Sequence, residues 1–236
     1  MPTPQTHQIT VNLTPAALQT LLDAGASLYA LPMFQTSNRT ARPLVTYANA
    51  ALSQSQNLAW TEVYQAFVSR TALAAGITDP AQRTIVVGAS APTRLGDVMT
   101  VGASLQCVVA GGGGGGAVSI QSAITDPLSC GLSYDGRPAC AMGLSNALQV
   151  TVAPLQSLLL MFSTSVFDLG AWVEQCAGPG LLVDMTNTAT RTVTYDLTAA
   201  DPWLDADKVW ATAIADGAPL ADLLRQPPPR NMPQRK

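Results

Sequence analysis

Lysine and glutamate are almost missing from this chain of 236 residues. Two lysines stand beside ten arginines, and two glutamates stand beside thirteen aspartates. Lysine and glutamate are strong helix formers, whereas threonine and valine, which this chain uses freely, favour strands. The sequence therefore predicts that the main body of the protein is built of β-strands.

Charged residues make up only 11% of the chain, against roughly 25% in an average protein. A surface with so few charges does little to keep molecules apart, so self-association is expected. The formal net charge is −3, and nucleic-acid binding needs a basic surface, so that class of function is excluded. A basic cluster lies among prolines in residues 226–236, where the composition predicts a disordered tail.

Short segments that alternate apolar and polar residues recur along the chain, separated by clusters of Gly, Pro, Ser and Asn. Residues 191–197 show the alternation most clearly. The dipeptide Asp135-Gly136 favours a tight turn and joins segments 128–134 and 138–144 into a predicted hairpin. About ten to thirteen such strands, with no βαβ alternation, predict a mainly β fold, an antiparallel two-sheet β-sandwich.

Helices are predicted only near the two ends of the chain. A short N-terminal helix is expected over residues 14–24, because Thr14 suits the N-cap and Pro15 suits the first helical position. Apolar residues at helical spacing predict a C-terminal helical segment over residues 201–225, packed on a β-sandwich domain of residues 1–200.

Neither a membrane-spanning segment nor a signal peptide is visible in the sequence. The most apolar run, residues 155–162, is far shorter than the ~20 residues that a spanning helix needs. Residues 1–8 are polar and lack the basic and apolar regions of a signal peptide. A cytoplasmic location is therefore expected, with export by a non-classical route as the alternative.

The four cysteines show no spacing typical of a metal site, and the chain has a single histidine. Cys130 and Cys140 flank the predicted turn, so a disulfide across the hairpin is one interpretation. The preferred interpretation is that all four are buried free thiols that behave as small apolar residues. No cofactor is expected.

Residues that could carry catalysis are few. A Ser-His-Asp or Cys-His site would have to recruit His7, which lies in the polar N-terminal segment. Glu62 and Glu174 both lie beside aromatic residues and could form the carboxylate pair of a glycosidase. A carboxylate-dependent hydrolase therefore remains an alternative, although the protein is not expected to be an enzyme.

The glycine run from Gly111 to Gly116 is not a phosphate cradle, because it lacks the Lys-Ser/Thr of a P-loop and precedes a strand rather than a helix. It predicts a mobile hairpin loop that could become ordered on contact with a partner. Carboxylates cluster further along the chain and could bind calcium, although helix capping explains at least two of them. These residues are Asp196, Asp201, Asp205 and Asp207.

Three aromatic residues in predicted strands are candidates for ligand binding. Trp60, Tyr64 and Trp172 are expected mainly to pack in the core, since strand aromatics commonly do so. If they were exposed, they would form a platform for a glycan or a lipid headgroup. Burial alone separates the two interpretations.

In composition the chain is similar to β-sandwich lectins and cytolysins and to self-assembling shell or filament subunits, but no residue pattern identifies a family. The leading hypothesis is a non-catalytic β-sandwich protein that acts by association, with copies of itself as its partner. A glycan- or membrane-binding module, such as a lectin or a pore-forming toxin, is the first alternative. The carboxylate-dependent hydrolase is the second.

Overall fold

The computed structural model describes residues 4–73, 83–144 and 149–226. It is 52% strand and 9% helix, which confirms the mainly β prediction and the helix near each end. The helices are α1 (Pro15–Asp23) and α2 (Leu220–Leu224). The strands are β1 (Thr6–Leu13), β2 (Ser27–Gln35), β3 (Arg42–Pro43), β4 (Tyr47–Asn49), β5 (Ser55–Thr61), β6 (Tyr64–Ser69), β7 (Ala89–Thr93), β8 (Asp97–Val101), β9 (Cys107–Gly111), β10 (Val118–Ser122), β11 (Leu128–Tyr134), β12 (Arg137–Leu144), β13 (Gln149–Ser163), β14 (Gly180–Asp184), β15 (Thr190–Tyr195), β16 (Ala211–Ile214) and β17 (Arg225–Gln226).

Within the described ranges, hydrogen bonding divides the strands into three sheets. The first has the order β15-β1-β5, and the second has the order β3-β12-β11-β6-β7. The third runs β16-β14-β13-β10-β8-β9, with β2 also paired to β13 and β4 and β17 paired to β2. The sequence predicts two antiparallel sheets, whereas β1 and β15, β8 and β10, and β2 and β17 pair in parallel.

Strand β13 is the longest element and connects two regions of the core. Its first residues pair with β10, and its second half pairs with both β2 and β14. From Leu158 to Ser163 its residues are buried or nearly so, as a strand covered on both faces requires. One of these, Phe162, stacks against Trp203 and packs on Tyr195, with ring centroids 5.7 and 4.7 Å apart.

Helix α1 forms where its end signals predict it. The Thr14 side chain accepts a hydrogen bond from the Ala17 N–H, and Pro15 occupies the first turn. Gly25 follows the helix with a φ of 66°, a left-handed conformation that glycine adopts without strain.

The C-terminal region is less helical than the apolar spacing predicts. Residues 211–214 form strand β16, which pairs with β14, and α2 is a single short turn. Val209 is fully exposed, whereas Ala211 and Ile214 are buried. Ala211 and Ile214 are three positions apart, a spacing that fits one face of a helix and also the two ends of a short strand. The apolar spacing alone therefore does not distinguish a helix from the observed strand. The predicted tail lies outside the described residues from residue 227 onward.

The glycine run lies at one end of the third sheet. It does not close a hairpin, because β9 and β10 lie on opposite sides of β8. The Gly113 N–H donates to the Gly96 carbonyl at 2.8 Å, so the run passes over the start of β8. A Cβ on Gly113 would lie 3.1 Å from that oxygen. Close backbone approach is thus a local reason for glycine here.

No helix in the described part of the chain combines the length and the apolar character needed to cross a membrane. The most exposed large apolar side chains of the described residues are those of Val86, Val166 and Val209.

Candidate functional site

Two adjoining cavities open where β2, β5 and β13 meet the hairpin of β11 and β12. Trp60, Tyr134 and Leu155 line both of them. The larger has a volume of about 130 Å³ and is also lined by Tyr47, Asp135 and Arg137, among others. The smaller, about 20 Å³, is lined by Glu62, Tyr64 and Gln156 as well. We call the two cavities together the aromatic cleft.

The rim of the cleft is formed by the Asp-Gly turn that the sequence predicts. Asp135 and Gly136 both have positive φ values, 48° and 76°, and they connect β11 directly to β12. The Asp135 carboxylate accepts a hydrogen bond from the Thr61 N–H at 2.9 Å, and the Asp135 N–H donates to the Val63 carbonyl at 3.2 Å. The turn is thereby fixed to the corner between β5 and β6.

The floor of the cleft is opened by an irregularity in β13. Pro154 pairs with Phe34 and Leu158 pairs with Pro32, so three residues of β13 face a single residue of β2. Proline cannot donate a hydrogen bond, and a proline stands on each strand at this point. The extra residues bulge out of the ladder, which brings Leu155 into the cleft wall.

A partly buried hydrogen-bond network, centred on His7, contacts Trp60 and Glu62 beside the cleft. His7 is 1% exposed, and its ring stacks on Trp60 with the centroids 5.2 Å apart and an interplanar angle of 22°. Its Nε2 lies 3.1 Å from Glu62 Oε1, and its Nδ1 lies 3.3 Å from the Thr188 carbonyl. Gln156 Nε2 donates to the same Glu62 oxygen at 2.9 Å. Both ring nitrogens of His7 therefore face acceptors.

Several polar side-chain atoms of the cleft have no hydrogen-bond partner among the described residues. Within that part of the chain, the Glu62 carboxylate accepts through Oε1 only, and the Asp135 carboxylate accepts through Oδ2 only. Within the described residues, the hydroxyls of Tyr64 and Tyr134 make no hydrogen bond, although the two rings meet edge to face at 5.4 Å. These groups remain able to bind a ligand that enters the cleft.

The tyrosines of the cleft are held in their neutral form. Burial raises the pKa of Tyr134 well above its ordinary value, and the Tyr64 hydroxyl and the Glu62 carboxylate add to the effect. Burial, followed by the charge of Glu62, also raises the pKa of Tyr64. Burial raises the pKa of Tyr47 against opposing effects of Asn49 and Arg137. Their phenol groups thus keep their protons at neutral pH and are able to donate a hydrogen bond.

The structure separates the aromatic candidates. Trp60 and Tyr64 lie in the cleft and are partly exposed. Trp172 is 1% exposed and packs in the core, where its backbone N–H donates to the Arg83 carbonyl. Gly111 ends β9 and pairs with Asp97 of β8, whereas Gly116 lies in the loop between β9 and β10, and neither glycine lines the cleft.

The four aspartates of the proposed calcium site each bond to different neighbours. Hydrogen bonds from Thr198, backbone N–H first, lower the pKa of Asp196. No three His, Cys, Asp or Glu side chains come together as metal ligands anywhere in the described ranges. The calcium interpretation therefore finds no ligand set in this part of the chain. The partners are Thr14 and Thr198 for Asp196, the Trp203 N–H for Asp201, the Thr194 N–H for Asp205, and Lys208 for Asp207.

All four cysteines are free thiols in the structure; Cys130, Cys140 and Cys176 are buried, whereas Cys107, expected to be buried as well, is half-buried. Cys130 lies opposite Met142 and Cys140 lies opposite Leu132, so the two cysteines occupy diagonal positions of the hairpin. Burial raises the pKa of Cys140 to about 12, and burial with the nearby Cys140 raises that of Cys130 further. Neither thiol is placed to act as a nucleophile.

Most of the cleft escapes prediction from the sequence. The hydrogen-bond network joins His7, Glu62 and Gln156, which lie 55 to 149 positions from one another in the chain. No local pattern in the sequence predicts their contact. Trp60, Tyr64 and Glu62, which the sequence offers as candidates, do line the cleft. The Asp-Gly turn is a further signal, since Tyr134, Asp135 and Arg137 surround it. Residues beside a predicted tight turn are thus the further part of the site that sequence reasoning could have found.

The chain was compared with known proteins at three levels. It matches no model of a protein family, no curated protein and no solved structure. The candidate site is therefore defined by its geometry alone, namely four aromatic rings, two carboxylates, one amide and one guanidinium around a small cleft.

Proposed function

We propose that the protein is a non-catalytic binding module whose aromatic cleft takes a small polar ligand. The observation that carries this proposal is the set of unpaired polar groups that converge on aromatic walls, above all Glu62 Oε2 and the Tyr134 hydroxyl. Ligand sites typically combine apolar walls with a few placed polar groups. The leading function thus shifts toward the module class that binds glycans or lipid headgroups.

Binding is favoured over catalysis by the state of the reactive groups. His7 is buried, and both of its ring nitrogens face protein acceptors, so it has no free nitrogen to serve as a base for a ligand. Glu174, the second carboxylate of the hydrolase hypothesis, lines neither cavity of the cleft, and its carbonyl accepts from Leu220. The cleft therefore lacks the Glu62 and Glu174 pair on which the hydrolase hypothesis rests, and it lacks a free histidine nitrogen.

The cleft can be tested directly with small probes. The four tryptophans each give one indole N–H signal by NMR, and Trp60→Phe assigns the signal of Trp60. Neutral monosaccharides, choline and phosphocholine are titrated one at a time into the whole protein. A ligand of the cleft is expected to shift the Trp60 signal, while the signals of buried Trp172 and Trp203 stay in place.

A matched tryptophan variant controls for non-specific effects. Trp210 stacks under Arg191 with the guanidinium 4.6 Å from its ring, and it lines neither cavity. Trp60→Ala is expected to weaken binding about tenfold, and Trp210→Ala is expected to leave it unchanged. If no probe moves the Trp60 signal, or if both variants weaken binding equally, the cleft is not a binding site.

Self-association is the second candidate, and one strand edge favours it. Strand β16 pairs with β14 alone among the described strands, and it contains no charged residue. Thr212 and Ala213 are exposed there, next to fully exposed Val209. An uncharged strand edge is a surface on which a second chain can add its own strand. Light scattering at rising protein concentration tests this candidate, and a constant monomer mass contradicts it.

A further inference from the structure

We propose, on the basis of the binding function above, that the ligand of the aromatic cleft is a phosphocholine group, with its quaternary ammonium between the aromatic rings. Free phosphocholine compounds and choline lipids both present this group. The inference depends on the number of rings, the sign of the unpaired charges and the size of the larger cavity.

Aromatic side chains surround the cleft on several sides. Trp60 and Tyr134 line both cavities, Tyr47 lines the larger, and Tyr64 lines the smaller. Because the His7 ring stacks on one face of Trp60, the opposite face is the one left for a ligand. Tyr64 and Tyr134 meet at 61° rather than in one plane. Rings set at angles form an enclosure, and such cages bind quaternary ammonium groups through the negative faces of the rings.

The charges follow the polarity of a phosphocholine zwitterion. Glu62 lines the smaller cavity and Asp135 lines the larger, and one carboxylate oxygen of each accepts no hydrogen bond from the described residues. Both attract a cation that carries no N–H of its own. Arg137 lines the larger cavity, and among the described residues its guanidinium donates through Nη1 alone, to the Thr46 carbonyl at 3.3 Å. Its remaining N–H groups can bind a phosphate oxygen.

The size of the larger cavity favours a compact ligand group over an oligosaccharide. At about 130 Å³ the larger cavity is below the roughly 300–1,000 Å³ of pockets that enclose drug-sized ligands. A trimethylammonium group is compact and nearly spherical, whereas oligosaccharides need an extended open surface. Anionic ligands are disfavoured because two carboxylates face the cleft against one guanidinium.

The test compares a cation with its uncharged analogue. Choline, phosphocholine, glucose, inorganic phosphate and dimethylbutanol, the carbon analogue of choline, are titrated into the whole protein by calorimetry and NMR. Choline and phosphocholine are each expected to bind about tenfold more tightly than dimethylbutanol. Glu62→Gln and Asp135→Asn are each expected to reduce that preference several-fold, and exposed Asp207→Asn is expected to leave it intact. Asparagine tolerates the left-handed conformation of Asp135, so that variant keeps the turn.

Each outcome decides between the two proposals. Equal binding of choline and dimethylbutanol, or a preference that survives both variants, overturns the phosphocholine assignment. If glucose shifts the Trp60 signal and phosphocholine does not, the assignment falls while the binding function stands. If none of the probes shifts it, both fall.

Vesicles then distinguish the two sources of the group. Binding to phosphatidylcholine vesicles but not to phosphatidylglycerol vesicles, lost in Trp60→Ala and kept in Trp210→Ala, supports a lipid headgroup. Binding of free phosphocholine without binding to either vesicle supports a soluble ligand. Equal binding to both vesicles, independent of Trp60, contradicts recognition of the headgroup by the cleft.

Discussion

At the scale of single residues, the thiols give a direct measure of burial. Cys130, Cys140 and Cys176 are buried, and burial raises the pKa of Cys140 to about 12 and that of Cys176 to about 11. Since the thiolate is the reactive form, these thiols are expected to resist a disulfide reagent at a pH of about 8. Half-buried Cys107 is expected to react slowly, and Cys107→Ser should abolish the reaction of the native protein.

The denatured protein provides the control for the thiol experiment. All four thiols should react at once in denaturant, because unfolding removes the burial that raises their pKa values. Rapid reaction of two or more thiols in the native protein would contradict the packing described for the hairpin of β11 and β12.

The tyrosines predict how stability depends on alkaline pH. Folding raises the pKa of Tyr47, Tyr64, Tyr134 and Tyr195 above 10.0, mainly through burial. The unfolded chain releases these protons near its ordinary pKa, whereas the native protein retains them. Stability is therefore unaffected by these groups below a pH of about 10 and is lost as the pH rises above it.

Absorbance of tyrosinate measures this effect. Most of the signal is expected to appear together with unfolding rather than in a separate titration near the ordinary pKa. Tyr134→Phe removes a hydroxyl that has no hydrogen bond in the described residues, so the midpoint of alkaline unfolding should move to higher pH. A lower midpoint in Tyr134→Phe would show that the hydroxyl has a stabilising partner.

At the scale of elements, Gly131 reveals how closely β11, β12 and β6 pack. A Cβ at this position would overlap the Cys140 carbonyl and lie 2.8 Å from Cζ of Phe67. Gly131→Ala is therefore expected to lower the free energy of unfolding by about 3 kcal/mol, measured by urea denaturation. Gly114→Ala is the matched control, because nothing lies within 4 Å of its Cβ, and a change within ~0.5 kcal/mol is expected there. Equal effects would contradict the register of this sheet.

Elements that depend on local signals were predictable from the sequence, and pairing between distant elements was not. The caps of α1 and the Asp-Gly turn act within a few residues, so they form where the sequence places them. Strand β1 instead pairs with β15, about 180 residues away, and no property of either strand specifies that partner. The hydrogen-bond network beside the cleft was not predictable for the same reason, since His7 and Gln156 contact Glu62 only when the sheets have formed.

At the scale of the whole molecule, the shortage of charge has a structural counterpart. Three ion pairs of Arg or Lys join side chains of the described residues, and all three lie at the surface, where such pairs contribute little to stability. The contact between His7 and Glu62, which faces inward beside the cleft, is a hydrogen bond. Packing of apolar side chains therefore carries most of the stability.

The same shortage leaves the edge strand β16 without a charged residue, and this gives the last prediction. Lysine on an edge strand hinders pairing with another chain, because a partner strand would have to bury the ammonium group. Thr212→Lys in β16 is therefore expected to lower the average mass seen by light scattering at high protein concentration. Thr20→Lys on the exposed surface of α1 adds the same charge away from any strand edge. If association proceeds through β16, Thr20→Lys keeps the mass of the unaltered protein, whereas an equal decrease in both variants would attribute association to net charge and not to this edge.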